Sequence, residues 1–431
     1  MSKPDAVMII GGGALQAPLV YEAQALGLLP LVTDRNPHAP AFKLSGAQPF
    51  VLDTSDVAGH EDLMRDLMRM YAVRGVCTAG ADVAPTVAAA AVVAGTPGIP
   101  VDVARRTHDK GDVRIVLDTA HLDNYQPQRW CVLAAKEHLS TIAHPRQAGT
   151  GWCAIKLPKP LGLFFTLPMV VKPIANRASR GVTIVPALAS REAIGAALDA
   201  ASSSGGYPVL LEEYLTGTEH SVEGIFGTDG SPLWFNIVDR FFDYSSGVPI
   251  ETGHVNPSQL APGIQDDIFV MLVETAQALG VTWGPFKIDA LVTSDGHPKV
   301  LECTARLSGG WDCQGTSPLT GRHPMRALLQ LACGMLVDAP LGPAQGYAAC
   351  AAILPKCSGR VVLPKPRQYW PRDEPIDRLI WMVNNGDTIR DPRHNGERIG
   401  FCMARGDTAQ QAWHRAHSAA DAVAESVEVT P

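Results

Sequence analysis

Two acidic residues stand in adjacent apolar segments near position 300. The first segment reads Gly284-Pro285-Phe286-Lys287-Ile288-Asp289-Ala290-Leu291-Val292, and the second Val300-Leu301-Glu302-Cys303-Thr304-Ala305-Arg306. Between them, Ser294-Asp295-Gly296-His297 carries the Asp-Gly pair of a tight turn, so the two segments are expected to be strands of one hairpin. A carboxylate in an apolar strand costs free energy unless it is compensated. A divalent cation compensates it, and Mg²⁺ favours a few carboxylates plus phosphate oxygens. Arg306 lies two pleats beyond Glu302, on the same face, where it can meet an anion. The plain alternative is a hairpin with two solvent-facing acids, because a half-exposed strand alternates in the same way.

Three further stretches carry chemistry. Lys172 ends an apolar strand and precedes a loop containing Ser179-Arg180-Gly181. An ammonium and several backbone N–H groups there can surround phosphate oxygens, although a solvated strand-end lysine would look alike. The Walker-type P-loop is absent, since no Gly-Lys pair occurs in the chain. Glu212-Glu213-Tyr214-Leu215 and Glu219 form a strand, a turn and a second acidic strand. Backbone groups there suit an adenine ring and a carboxylate suits ribose hydroxyls, against the alternative of an ordinary hairpin with exposed acids. Gly11-Gly12-Gly13 follows a strand, with Asp34 about twenty residues on, and imperfectly matches a dinucleotide fingerprint because Gln16 stands where the third glycine belongs. A tight structural turn explains those glycines equally well.

The elements that must position these residues follow from periodicity. Short apolar strands alternate with helical stretches through the first hundred residues, which predicts a parallel, doubly wound sheet. Gly95-Thr96-Pro97-Gly98-Ile99-Pro100 closes that unit. One helix is expected over Asp102–Thr119. A proline-containing stretch, about 121–168 with an apolar Leu161–Leu167 run, has no assignable structure. Strands are expected at Met169–Lys172, Gly181–Pro186 and Val209–Tyr214, with a helix over about 190–201. Paired strands are expected at Glu219–Phe226 and Leu233–Val238, and a helix at Gln265–Leu279 leads into the acidic hairpin. The tail, about 340–431, has two expected strands and a final helix, Thr408–Val423.

At 431 residues the chain is long enough for two to four domains. Its formal charge of −7 argues against a nucleic-acid partner held by a general electrostatic footprint. Apolar runs are interrupted before the length needed to span a bilayer, and the N-terminus lacks a signal-peptide pattern. Nine cysteines without a Cys-x-x-Cys pair fit reduced thiols in a cytoplasm.

Taken in order, Lys110, Lys172 with its loop, Glu212–Leu215, Glu219, Asp289, Glu302 and Arg306 resemble the ATP-grasp superfamily. The similarity is to the branch with the carbamoyl-phosphate-synthase large chain, biotin carboxylase and amino-acid ligases. It covers nearly the whole chain and implies an α/β (α+β) architecture. A doubly wound pre-ATP-grasp domain would occupy 1–103. An ATP-grasp domain of two α+β subdomains would occupy 104–338, with a mobile lid at about 170–215, and a small C-terminal α/β region would occupy 339–431.

The resemblance implies ATP and Mg²⁺, with Mn²⁺ as an alternative metal. Lys110, Lys172, Ser179, Gly181, Glu212, Glu213, Tyr214, Leu215 and Glu219 would bind the nucleotide. Asp289 and Glu302 would bind metal, with Thr304 a weaker third ligand. Arg306, Lys172 and Arg180 would act on the transferring phosphoryl group. The usual pattern has Glu at 289 and Asn at 304, so the two departures, Asp289 and Thr304, put a second metal in question. Ser308, Gly309, Gly310, Asp312, Glu251 and His254 would receive substrate, close to Asp239 and Arg240.

The implied reaction joins a carboxylate and an amine through an acyl phosphate, releasing ADP and phosphate, in a cytoplasmic homodimer without nucleic-acid or membrane partners. Two alternatives stay open. One is another ATP-grasp chemistry, carboxylation or carbamoyl-phosphate-type synthesis with partner subunits. The other is a nicotinamide-dependent oxidoreductase built on Gly11–Gly13 and Asp34.

Overall fold

The computed structural model describes residues 2–120, 122, 130–133, 155–156, 168–176, 178–245, 247–364 and 376–430. The Leu161–Leu167 run, and most of the stretch 121–168 that contains it, lie outside these residues. Four strands, β1 (Asp5–Ile10), β2 (Leu29–Asp34), β3 (Gln48–Val51) and β4 (Ala72–Cys77), form a parallel sheet in the order β3-β2-β1-β4. Ala6 to Ile10 are all buried, as expected of a strand covered on both faces. The turn after β1 is closed from within. Asp34 accepts from the Gly12 N–H at 2.8 Å, and a Cβ on Gly12 would lie 2.9 Å from that of Ala39. Asp34 also accepts from the Asn36 N–H at 2.8 Å. These glycines therefore serve close packing of the turn, with Asp34 as its backbone cap.

The helix expected over 102–119 is two helices, Val101–His108 and Lys110–Thr119. Asp109 makes the break, because its side chain accepts from the N–H groups of Gly111 (2.8 Å) and Asp112 (3.1 Å). An N-cap of this kind competes with continuing the preceding helix. It sets Lys110 at the first turn of the second helix.

Strands β5 (Trp130–Leu133), β6 (Ile155–Lys156), β7 (Met169–Pro173), β8 (Thr183–Val185) and β9 (Val209–Glu213) form a five-stranded sheet, ordered β6-β5-β9-β7-β8. Helix Arg191–Gly205, capped by Ser190, packs Ile194, Leu198 and Ala201 onto Val171, Val185 and Leu211. Strands β10 (Gly217–Phe226), β11 (Pro232–Asp243), β12 (Ile250–Asn256), β13 (Gly284–Thr293), β14 (Pro298–Thr304) and β15 (Tyr347–Ile353) follow. After them come β16 (Gly359–Val362), β17 (Arg378–Trp381), β18 (Thr388–Ile389), β19 (Gly400–Gly406) and β20 (Glu428–Thr430).

The largest sheet has eight strands in the order β14-β13-β10-β11-β12-β15-β19-β17, so C-terminal strands extend the sheet that carries the acidic hairpin. Helix Pro262–Leu279 lies on it, with Ile268, Met271 and Leu272 in one core with Val222, Phe286 and Ile288. Burying each such side chain contributes about 1.5–3 kcal/mol. Strands β16, β18 and β20 form a small third layer, and the final helix Ala409–Ser426 packs alanines against β15 and β19. Among the described residues no helix is long and apolar enough to cross a membrane.

Candidate active site

A cavity of about 400 Å³ is bounded by the five-stranded sheet, the acidic hairpin and the turn before β19. Lys110, Lys172, Asp289, Glu302 and Arg306 all reach it, although they come from separate elements. The hairpin forms as its turn predicts, with Asp289 directly opposite Glu302 and a bulge just after Asp289. A bulge re-aims side chains, and bulges recur beside functional sites. Asp289 is 8% exposed, in a strand buried along nearly its whole length, so it is not a solvent-facing acid. The Glu302 side chain is 40% exposed, and Lys110 Nζ lies 3.5 Å from its Oε2.

Cations compensate Asp289. Arg240 Nη1 lies 2.9 Å from Oδ1, and Lys287 Nζ contacts the same oxygen. Burial pushes this carboxyl up, but Arg240 and Lys287 outweigh it and hold it well below the usual carboxylate range. Lys287 stands two residues before Asp289 and so shares its face, a signal already present in the strand's alternation. Arg240 continues as a bridge. Its Nε donates to Glu251 at 2.9 Å, and Arg398 Nη1 lies 3.3 Å from the other Glu251 oxygen. Burial again opposes ionisation, yet the two guanidinium groups bring the Glu251 carboxyl down to about 2.

Lys172 and Glu212 pair at 2.5 Å, and Arg114 meets the second Glu212 oxygen at 2.5 Å. Arg114 also donates to the carbonyls of Val300 (2.8 Å) and Leu301 (2.6 Å), tying the Lys110–Thr119 helix to β14. Against the cost of burial, the Glu212 carboxyl is held at about 2 by Arg114 and Lys172. Glu212 thus serves the two cations, while Glu213, Tyr214 and Leu215 line the cavity beside it. Glu219 accepts from the Tyr244 hydroxyl at 2.8 Å and lies 3.9 Å from Arg240, and burial raises its carboxyl above the ordinary value.

Ala178 and Ser179 both have positive φ (59° and 57°), an uncommon backbone for residues other than glycine, and Gly181 follows at 72°. Asn395 holds this loop. Its N–H donates to the Ala178 carbonyl at 3.0 Å and its side-chain amide to the Ser179 hydroxyl at 3.1 Å. Arg180 lines the cavity.

The substrate candidates divide. Glu251, Ser308, Gly309 and Gly310 line the cavity. His254 and Asp312 do not, because both are buried and pair with each other at 3.2 Å behind the wall. Asp312 begins a π-helical turn, Asp312–Thr316. Beneath Ser308, Glu223 accepts from the Ser308 N–H and from the Cys313 thiol at 2.9 Å. Burial and Asp312 push the Glu223 carboxyl up to about 7. Glu223, Lys287, Asn395 and Arg398 were not among the expected site residues. Apart from Lys287, nothing in local sequence marks them.

Similarities to known proteins bear on this arrangement. Residues 165–314 match the ATP-grasp domain family, and residues 353–428 match L-amino acid ligase C-terminal domain 2. The chain thus carries an ATP-grasp domain, followed by an L-amino acid ligase C-terminal domain 2. The ATP-grasp match encloses Lys172, Glu212, Glu219, Asp289, Glu302 and Arg306, while Asn395 and Arg398 fall in the second match.

The chain is 33% identical over 142 residues to a D-alanine–D-alanine ligase of Trichlorobacter lovleyi, and 30% identical over 148 residues to dapdiamide A synthase of Enterobacter agglomerans. These stretches cover 32% and 34% of this chain, and 43% and 34% of those relatives, less than half of each. Among solved structures, an L-amino acid ligase from Bacillus licheniformis superposes with a TM-score of 0.74 at 18% identity, covering 100% of this chain and 99% of that one. Phosphoribosylglycinamide synthetase from Anaerococcus prevotii gives 0.69 at 15% identity, covering 99% of both chains. At these identities the structural likeness shows the ATP-grasp fold alone.

ATP-grasp ligases use ATP with a divalent metal. Among the described residues no group of three or more His, Cys, Asp or Glu side chains is arranged to hold a metal. Two carboxylates facing across a hairpin nevertheless fit a hard cation that takes its remaining ligands from phosphate oxygens and water. Thr304 is turned elsewhere, since its hydroxyl donates to Asp82 at 3.2 Å.

Proposed function

We propose that this protein is an ATP-dependent carboxylate–amine ligase that forms an amide bond through an acyl phosphate, releasing ADP and phosphate. The observation that carries this reading is one cavity lined by Lys110, Lys172, Glu302 and Arg306 beside Glu251 and the Ser308–Gly310 segment. Cations for a triphosphate and groups for a small polar substrate thus meet in one chamber. The names of the relatives, D-alanine–D-alanine ligase and dapdiamide A synthase, support the same chemistry. In this reading residues 104–338 are the catalytic unit, with a lid at about 170–215, between an N-terminal unit, 1–103, and a C-terminal unit, 339–431.

Such phosphoryl transfer asks the protein for positioning and charge neutralisation more than for covalent chemistry. Lys110 and Lys172 meet the phosphates, with the Ser179–Gly181 loop over them. Glu213, Tyr214 and Leu215 receive the adenine, and Glu219 the ribose. A substrate carboxylate oxygen attacks the γ-phosphorus, the bond to the β-γ bridging oxygen breaks, and ADP leaves. Arg306 and Arg180 stabilise the charge on the transferring group. The amine then attacks the acyl carbon and phosphate departs with the former carboxylate oxygen. Asp289 and Glu302 would hold Mg²⁺, which when bound neutralises phosphate charge.

The test is ADP release from MgATP with a panel of amino acids and other carboxylates, with and without amines. Substrate-dependent release, absent in Lys172→Ala and Glu302→Ala and abolished by EDTA, is expected. MgATP that fails to bind or to raise the unfolding temperature would overturn the reading.

A further inference from the structure

Arg306 is held by a residue more than two hundred positions away. Asp82 follows β4 at the carboxyl end of the parallel sheet, where doubly wound folds place their binding loops. Its Oδ1 accepts from Arg306 Nε at 2.7 Å and from the Thr304 hydroxyl at 3.2 Å. Arg306 Nη1 donates to the Leu307 carbonyl at 3.1 Å, so the guanidinium is fixed at two points. Both partners are largely buried, with side chains 17% and 11% exposed. A charge-assisted contact is strong there and its loss costly.

The backbone around Asp82 is locked to the same segment. Gly80 N–H donates to the Leu307 carbonyl at 3.2 Å, and a Cβ on Gly80 would lie 3.0 Å from the Gly309 Cα. Gln16 donates to the Ala79 carbonyl from the other side. Burial would raise the Asp82 carboxyl, but Arg306, with smaller help from Lys110 and His108, holds it well below the usual range.

We propose that Asp82 is a positioning residue for Arg306, and that Thr304 serves this anchor instead of a metal ion. The N-terminal unit then completes the phosphoryl-transfer site. The role depends on Arg306 meeting the transferring phosphoryl group, so Arg306 is tested separately.

The readouts are ADP release from MgATP with a mixture of the twenty L-amino acids, MgATP affinity, and the Arg306 Nε–H resonance identified by its loss in Arg306→Lys. Arg306→Ala should abolish turnover and leave MgATP binding intact. Wild-type turnover in that variant would remove the premise and leave the resonance to decide the anchor. Asp82→Asn should lower kcat by roughly 10- to 100-fold, the scale of a misplaced catalytic group. MgATP affinity should stay within about twofold in that variant, since the phosphate lysines are untouched. The double variant should be no slower than Arg306→Ala, as expected of residues acting as one unit. The Nε–H resonance should shift and exchange faster in Asp82→Asn, and Thr304→Val, which keeps the ion pair, should give a smaller change of the same kind. An unmoved resonance, or a raised KM for the amino acids at unchanged kcat, would overturn the proposal.

Discussion

Lys172 Nζ lies 2.5 Å from Glu212 Oε2, and Arg114 Nε lies 2.5 Å from the other oxygen. One carboxylate thus fixes the lysine assigned to the phosphates and ties the Lys110–Thr119 helix to β9. Removing it would leave two cations in a buried place, and breaking a buried pair costs about 3–5 kcal/mol. Glu212→Ala is therefore expected to lose about that much unfolding free energy in urea titrations and to bind MgATP poorly. A loss below about 1 kcal/mol would make the contact equivalent to a surface pair.

Glu251 behaves differently with acid. Its carboxyl is held at about 2, against an ordinary 4.5, by Arg240 and Arg398 despite burial. A depressed acid contributes stability that is fully present above pH 4.5 and is lost as pH falls through about 2. Glu251→Gln should flatten the stability profile across that window. An unchanged acid limb in the variant would contradict the ion-pair account.

Glu223 gives the opposite sign. Burial and the neighbouring Asp312 raise it to about 7. The folded protein keeps a proton that the unfolded chain releases between pH 4.5 and 7, so this group lowers stability as pH rises through that window. The difference in unfolding temperature between Glu223→Gln and wild type should therefore grow from pH 4.5 to 7 in favour of the variant, then level off. A difference independent of pH would show that Glu223 stays ionised.

Much of the fold was legible because its signals are local. The Asp295-Gly296 turn and the apolar runs on either side of it specify β13 and β14, and pairing then brings Asp289 opposite Glu302. The break at Asp109 was not visible, because a capping side chain competes with a helix whose apolar periodicity continues through it. Strand β12, which carries Glu251 and His254, is not legible in the sequence. Gly253 interrupts the pattern, and its Cβ would fall 2.3 Å from the Cys350 carbonyl oxygen of β15. His254 and Asp312 were readable as polar residues near the site, but not as partners of each other, since only the packing of β12 on the 312–316 turn brings them together. Asn395 and Arg398 reach the cavity, and Asp82 reaches Arg306, from distant parts of the chain, and no spacing rule links them to Arg306 or to the Ala178–Gly181 loop.

Isotope transfer tests the acyl phosphate most directly. A carboxylate substrate labelled with ¹⁸O on both oxygens, turned over with MgATP and an amine, should pass one ¹⁸O atom into each phosphate released, read by mass spectrometry or ³¹P NMR. Phosphate free of label, or labelled AMP in place of labelled phosphate, would contradict the mechanism proposed here.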